Sequence, residues 1–213
     1  MAKRTQTGFT IVELMIATAI FSIILLLCTF GLLQIGRTYY RGVTTSRTQD
    51  TARKVIDTLS QSIQYGTSVP AAPPSGVIVT NGSPSSGQIC FGEKRFTYFF
   101  NKPVTGNTQH ALQLDSAPSG CTGPVTASAQ ELLGENMRLT RFSLIKKTTG
   151  YEISLKVSHG EDEDLVLLPP NTTGGATVLS VDDEKFGNCQ IQARAEYCAS
   201  AELTVTVQRR LPD

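Results

Sequence analysis

One carboxylate stands apart from every other charge near the start of this chain. Glu13 is the only charged residue between Arg4 and Arg37, and the 23 residues from Leu14 to Gly36 carry no charge at all. Within an apolar span a carboxylate costs ~2.5–3.5 kcal/mol on insertion scales. Glu13 therefore either lies near the headgroups and is solvated there, or has a partner and a function, and the residues alone leave both readings open. The remaining reactive side chains are scattered. Cys28 sits inside the apolar run and reads as a small buried hydrophobe. Cys90, Cys121, Cys189 and Cys198 lack the C-x₂-C spacing of a zinc site, so no metal centre is expected. The acidic runs Glu161–Asp164 and Asp182–Glu184 offer oxygen ligands to a hard cation, yet neither has the D-x-[DN]-x-[DN]-G order of a calcium loop. They read as solvated turn charges. His110 and His159 are isolated, and no G-x-S-x-G, Walker or H-E-x-x-H pattern occurs, so nothing proposes an enzyme or a cofactor.

These residues have to be held by elements, and the first element is plain. Of the 27 residues Phe9–Ile35, 20 are apolar, a run too apolar to leave in water. As a helix, Leu14–Gly36 spans about 35 Å at ~1.5 Å per residue, against a bilayer core of ~30 Å. The run is longer than a signal-peptide core, and no A-x-A-like cleavage site follows it. Leu25-Leu26-Leu27-Cys28 puts bulky residues where a lipoprotein signal wants small ones. Beyond it, Ala52, Val55, Ile56, Leu59 and Ile63 mark one face of a helix, with Arg47, Asp50, Arg53, Lys54 and Asp57 elsewhere on it. No proline precedes Pro70, so one helix is expected over 9–65, with Gly31 and Gly36 as its weak points.

After Gly66 the pattern changes. Thr67–Gly87 is rich in Ser, Pro and Gly and reads as a connection. Ile153, Leu155 and Val157, and again Leu203, Val205 and Val207, then alternate with polar residues, which is the period of a strand. One hairpin is expected from Ile89–Gly92 and Phe96–Phe100 around Glu93-Lys94, another from Arg138–Lys146 and Tyr151–Ser158 through Thr149-Gly150. Laying the helix face 52–63 on one antiparallel sheet covers both apolar surfaces and gives an α+β head. From Gly66 onward the chain has 12 basic and 15 acidic residues. That balance does not favour nucleic acid as a partner. Lys146-Lys147 and Arg209-Arg210 read as solvated edge charges that discourage strand pairing with other chains.

Gly8-Phe9-Thr10-Ile11-Val12-Glu13-Leu14-Met15-Ile16-Ala17, behind a leader carrying Lys3 and Arg4, closely resembles the class III signal of type IV prepilins and type II secretion pseudopilins. The resemblance implies cleavage between Gly8 and Phe9 by a prepilin peptidase and methylation of the new Phe9 amine. It implies that Glu13 pairs with the Phe9 amine of a neighbouring subunit during assembly, each buried charge offsetting part of the other's penalty. It also implies a long helix bearing a globular head, the family's lollipop shape. The expected organisation is a leader at 1–8, a helix at 9–65 that is transmembrane over 9–36, and an extracytoplasmic β-rich head at 66–213. The expected place is the cytoplasmic membrane in a single pass, N-terminus inside, and then a filament at the envelope or surface. Implied partners are the peptidase, other pilin or pseudopilin subunits, the inner-membrane assembly platform, and membrane lipid before assembly. Arg138–Phe142, Cys189–Cys198 and Thr204–Leu211 resemble minor pilins of the W type and minor pseudopilins of the J type.

That topology puts four cysteines outside the cytoplasm, where an even number favours two disulfides. Three connectivities are possible. The short loop between Cys189 and Cys198 favours pairing them, which leaves Cys90 with Cys121.

Overall fold

The structure is a computed structural model describing residues 8–68, 70, 75–79, 86–106, 108–116, 121, 123–167, 185–190 and 197–210. The leader cations Lys3 and Arg4, the acidic run Asp182–Glu184, Leu211 and much of the Thr67–Gly87 connection lie outside these residues. The chain divides into two compact units, Met1–Tyr40 and Arg41–Asp213. Helix α1 spans Ile11–Tyr65, 55 residues, two residues short of the expected start.

In the first unit the described part of α1 buries no side chain. Leu26, for example, is 59% exposed, and among the described residues α1 is the one helix long and apolar enough to cross a membrane. Thr18, Ser22, Thr29 and Thr38 do not break this character, because each hydroxyl donates to a carbonyl three or four residues earlier in the same helix.

In the second unit the helix has one buried face: Ala52, Val55, Ile56, Leu59 and Ile63, the set its spacing predicts. Thr48 and Ser62 are buried with them and return their hydroxyls to Thr44 O and Ser62's own fourth predecessor, Thr58 O. The expected single sheet is in fact two, each antiparallel and four-stranded. One holds β1 (Val77–Val79), β6 (Met137–Lys147), β7 (Gly150–His159) and β8 (Ala199–Val207) in the order β1-β6-β7-β8. The other holds β2 (Ser86–Phe91), β3 (Lys94–Phe99), β4 (Leu112–Ser116) and β5 (Gln130–Glu131) in sequence order. The helix face and the inner faces of both sheets share one core that includes Phe96, Leu139, Phe142, Ile153 and Leu155.

Both expected hairpins form, with shifted turns. Phe91 pairs with Lys94, so the first turn is Gly92-Glu93, with Gly92 at φ 62°. Lys147 pairs with Gly150, so the second turn is Thr148-Thr149. In β6 the register jumps between Leu139 and Arg141, leaving Thr140 as the extra residue of a β-bulge. The bulge turns Met137 and Leu139 before it, and Phe142 and Leu144 after it, to the same core. Buried Thr140 donates to Lys156 O and shares a hydrogen bond with Ser158 Oγ. Gly187 lies over it at φ 77°, where a Cβ would come within 2.6 Å of Thr140.

The cysteines of the second unit stand in two disulfide pairs, Cys90 with Cys121 at 5.5 Å between Cα atoms and Cys189 with Cys198 at 5.7 Å. The first belongs to a polar layer on one face of the β2–β5 sheet, where Cys90, Arg95 and Asp115 are neighbours across three strands. Arg95 Nε donates to Asp115 Oδ1 at 2.9 Å, and Arg95 Nη2 pairs with Asp115 Oδ2, both side chains being buried. Arg95 Nη2 also donates to Pro124 O at 2.8 Å, and Thr126 N–H donates to Asp115 Oδ2 at 3.0 Å. The segment after Cys121 is thus pinned by the disulfide and by the ion pair together.

Arg209 and Arg210 are not the edge charges expected of them. Arg209 Nη2 donates to Gly66 O at 3.2 Å, Arg210 N–H donates to Gln64 O at 3.2 Å, and the Arg210 guanidinium lies over the Tyr65 ring. Together they close the C-terminal end of α1, whose last turn has no basic residue of its own. Lys147 is tied to Glu152 at 3.7 Å.

Two predictions follow from this packing. Leu59 is 1% exposed, so Leu59→Ala should cost about 2–5 kcal/mol of stability in urea unfolding. Leu26→Ala, in the first unit, should leave that transition unmoved. Hydrogen bonding from Arg95 holds the Asp115 carboxyl down to about 2, from an ordinary 3.8, against the opposing effect of its burial. A depressed carboxyl stabilises fully above its unfolded value and loses that contribution as pH falls through the folded one. Acid unfolding should therefore include a component between about pH 4 and pH 2 that Asp115→Asn abolishes. Identical pH profiles for the two proteins over that window would exclude it.

Candidate functional site

The segment that the sequence marks for chemistry opens α1. Gly8 precedes the helix, and nothing lies within 4 Å of where its Cβ would be. Phe9 is 87% exposed. A peptide bond between a residue without a side chain and an uncovered aromatic is open to an approaching enzyme.

Glu13 is not solitary. Thr10 N–H and Thr10 Oγ1 each donate to Glu13 Oε2 at 2.9 Å, and Glu13 N–H donates to Thr10 Oγ1 at 3.3 Å. This is the reciprocal capping box of a T-x-x-E sequence, with Thr10 as N-cap and Glu13 at the third helical position. A helix start leaves four N–H groups without intrahelical partners, a heavy cost in an apolar medium. The box satisfies Glu13 N–H and the N-cap N–H, and sets a negative charge at the positive end of the helix dipole. Both short contacts fall on Oε2, which leaves Oε1 without a hydrogen bond among the described residues. Thr10 is a site residue that reading Glu13 in isolation misses, although its spacing of three carries the signal.

Cys28 is exposed on the isolated chain, as are its apolar neighbours on the described part of this helix. The four other cysteines lie in the second unit with the disulfide pairs described above. The histidines have partners in space that their sequence neighbours do not suggest. His110 Nδ1 is 3.2 Å from Glu131 Oε2, and His159 Nδ1 donates to Tyr197 O at 3.0 Å.

In the acidic run Glu161–Asp164 the first three residues are exposed as expected, and Asp164 departs from that expectation. Asp162 is 78% exposed but pairs with buried Arg138 at 2.7 Å. Asp164 is only 4% exposed, drawn inward because the next residue, Leu165, is fully buried. Among the described residues no three His, Cys, Asp or Glu side chains converge as a metal centre would require.

What the opening segment is for follows from its residues and its match. No curated protein and no solved structure matches the chain. Residues 3–29 match the family described as the prokaryotic N-terminal methylation motif, which takes in Gly8, Phe9, Thr10, Glu13 and the first part of the apolar helix. The chain carries a type IV pilin-like prepilin signal at the head of a long apolar helix.

Proposed function

We propose that this protein is a structural subunit, of the minor kind, in a type IV pilus or a related pilin-like filament, and not an enzyme. The observation that carries the reading is the methylation motif at residues 3–29 running directly into α1. Prepilin peptidase cuts after Gly8 and Phe9 is N-methylated. The apolar helix over 9–36 holds the subunit in the cytoplasmic membrane in a single pass, surrounded by lipid. The residues from 66 onward form the extracytoplasmic head, in which the paired cysteines suit an oxidising compartment. An inner-membrane assembly platform then passes the subunit to a filament of other pilins or pseudopilins, at the envelope or cell surface.

Assembly replaces lipid around α1 with other helices. The Phe9 amine and the Glu13 carboxylate are then the charges that must be buried. An ammonium from one subunit against Glu13 of the next fixes axial register more than it adds net stability.

Gly8→Leu should block leader removal and leave insertion intact, because insertion depends on the apolar run. N-terminal sequencing reads this directly: wild type should begin at N-methyl-Phe9. A start at Met1, or near Thr29, in wild type would instead mean a membrane-anchored module outside any filament.

Glu13→Ala and Glu13→Gln should both be cleaved normally yet enter filaments poorly. Removing one member of a buried pair costs about 3–5 kcal/mol, at least a hundredfold in an assembly equilibrium. The measurement is the ratio of filament-bound to membrane-bound protein, with cleavage followed in parallel. Unchanged incorporation of both variants would leave Glu13 as a solvated interfacial residue.

A further inference from the structure

The sheet of β1, β6, β7 and β8 has two edges, and they are built differently. β1 is three residues long, and its register with β6 shifts between Val77 and Val79. A short, bulged edge offers little for another chain to pair with. β8 is nine residues long, and every residue from Ala199 to Val207 has a partner in β7 with no break in register. Among the described residues it is the longest edge strand of either sheet.

In an antiparallel ladder every second residue of an edge strand turns its N–H and C=O away from the sheet. Among the described residues nothing outside β7 hydrogen-bonds to the backbone of β8. The middle of the strand is also uncovered. Glu202, Thr204 and Thr206 are exposed, and between them Leu203 and Val205 are half-buried at the margin of the core.

The devices that blunt such an edge are missing. β8 has no proline, no lysine and no bulge. Arg209 and Arg210, which the sequence suggests as its guards, hold the end of α1 instead. Its one charge, Glu202, is matched within the sheet by Arg141 at 2.6 Å and Lys156 at 3.7 Å. A neutral strand can therefore lie along β8 without meeting an unmatched charge.

We propose that β8 is a strand-addition surface, on which an extended segment of a different filament subunit pairs antiparallel and continues the sheet. This rests on the filament reading above. The chemistry of the segment follows from β8. Apolar residues lie beside Leu203 and Val205, uncharged polar residues lie beside Thr204 and Thr206, and no carboxylate stands opposite Glu202.

A second copy offering its own β8 does not fit. Paired antiparallel, the two strands are related by a twofold axis normal to the sheet, which reverses the stretch of α1 packed on it. Subunits drawn from one membrane into one filament point the same way. Paired parallel, the core face of one sheet continues into the polar face of the other, and Leu203 and Val205 lose their apolar neighbours. The occupant is therefore another strand, from a neighbour of the same polarity.

Hydrogen–deuterium exchange, read by mass spectrometry, tests this on the full chain in two states: the subunit in detergent micelles, and filaments isolated from cells. The outward amides of β8 should exchange freely in micelles and slow by about tenfold or more in filaments, while β7 stays protected in both. Val205→Lys then separates pairing from folding. At a free edge the lysine stem can carry its ammonium round to water, but an added strand would bury it. This variant should be cleaved normally and be at least tenfold depleted from filaments, whereas Thr204→Lys, with the same charge on the exposed face, should enter as wild type does. Thermal unfolding checks that both variants fold, and the wild-type exchange decides alone if Val205→Lys does not.

Equal exchange of β8 in the two states, or full incorporation of folded Val205→Lys, overturns the surface. Protection of β8 already present in micelles overturns it too: a dimer would make the occupant a second copy, and a monomer would make it a segment of this chain. Wild type that is cleaved after Gly8 but never reaches filaments ends both this inference and the filament reading. Filaments that contain wild type with β8 unprotected end this inference alone.

Discussion

Five side chains on one face of α1 govern the second unit. Ala52, Val55, Ile56, Leu59 and Ile63 are all buried, and together they form the wall against which both sheets pack. A helix with one apolar face has no stable existence alone in water, and a sheet with one apolar face has none either. Each covers the other, at about 1.5–3 kcal/mol for every large side chain fully removed from solvent. The other devices of this unit act at the margins of that contact. The bulge at Thr140 keeps β6 aimed at the helix after Leu139, and Arg209 and Arg210 hold the end of α1 down.

Period made most of this legible. The 3.6-residue rhythm of 52–63 named the apolar residues of the buried helix face, though not Thr48 and Ser62, and the twofold rhythm of 153–157 named Ile153, Leu155 and Val157 of β7. Where period is interrupted, the reading slips. Met137, Leu139, Phe142 and Leu144 step by two, three and two, and the step of three is the bulge, which a strict alternation hides. The β2–β3 hairpin was legible, but its extension by β4 and β5 into a separate sheet was not, for a related reason. β4 and β5 are five and two residues long, too short for a rhythm, and the outer layer of this sheet holds the charged pair Arg95 and Asp115 where alternation suggests solvent.

Charge was the poorest guide, because sequence shows where a charge is but not what faces it. Arg209 and Arg210 look like the guard of a sheet edge and instead complete a helix end 143 residues away in sequence. Asp164 looks like one of four equivalent acids. Burial separates it from the others only because Leu165 must enter the core and pulls its neighbour along. In the opening segment the opposite holds. The residues Gly8 to Glu13 are local in their chemistry, so their pattern was readable at once, and what escaped notice, Thr10, is also local.

Thr10 changes how Glu13 should be understood before assembly. A bare carboxylate in an apolar span would be a standing cost, removed only when a neighbouring amine arrives. The capping box distributes the charge over two Thr10 donors, and the same interaction closes the helix start. The carboxylate is thus stabilised by local contacts while its second oxygen has no hydrogen bond among the described residues. Under the proposed assembly, an incoming amine can bind Oε1 without dismantling the cap on Oε2. The gain on pairing is then smaller than for a naked charge, but the carboxylate is already oriented, so less freedom is lost when the pair forms. A residue placed to set register benefits more from fixed geometry than from raw affinity. The short spacing of Thr10 and Glu13 supplies that geometry from within one turn of helix.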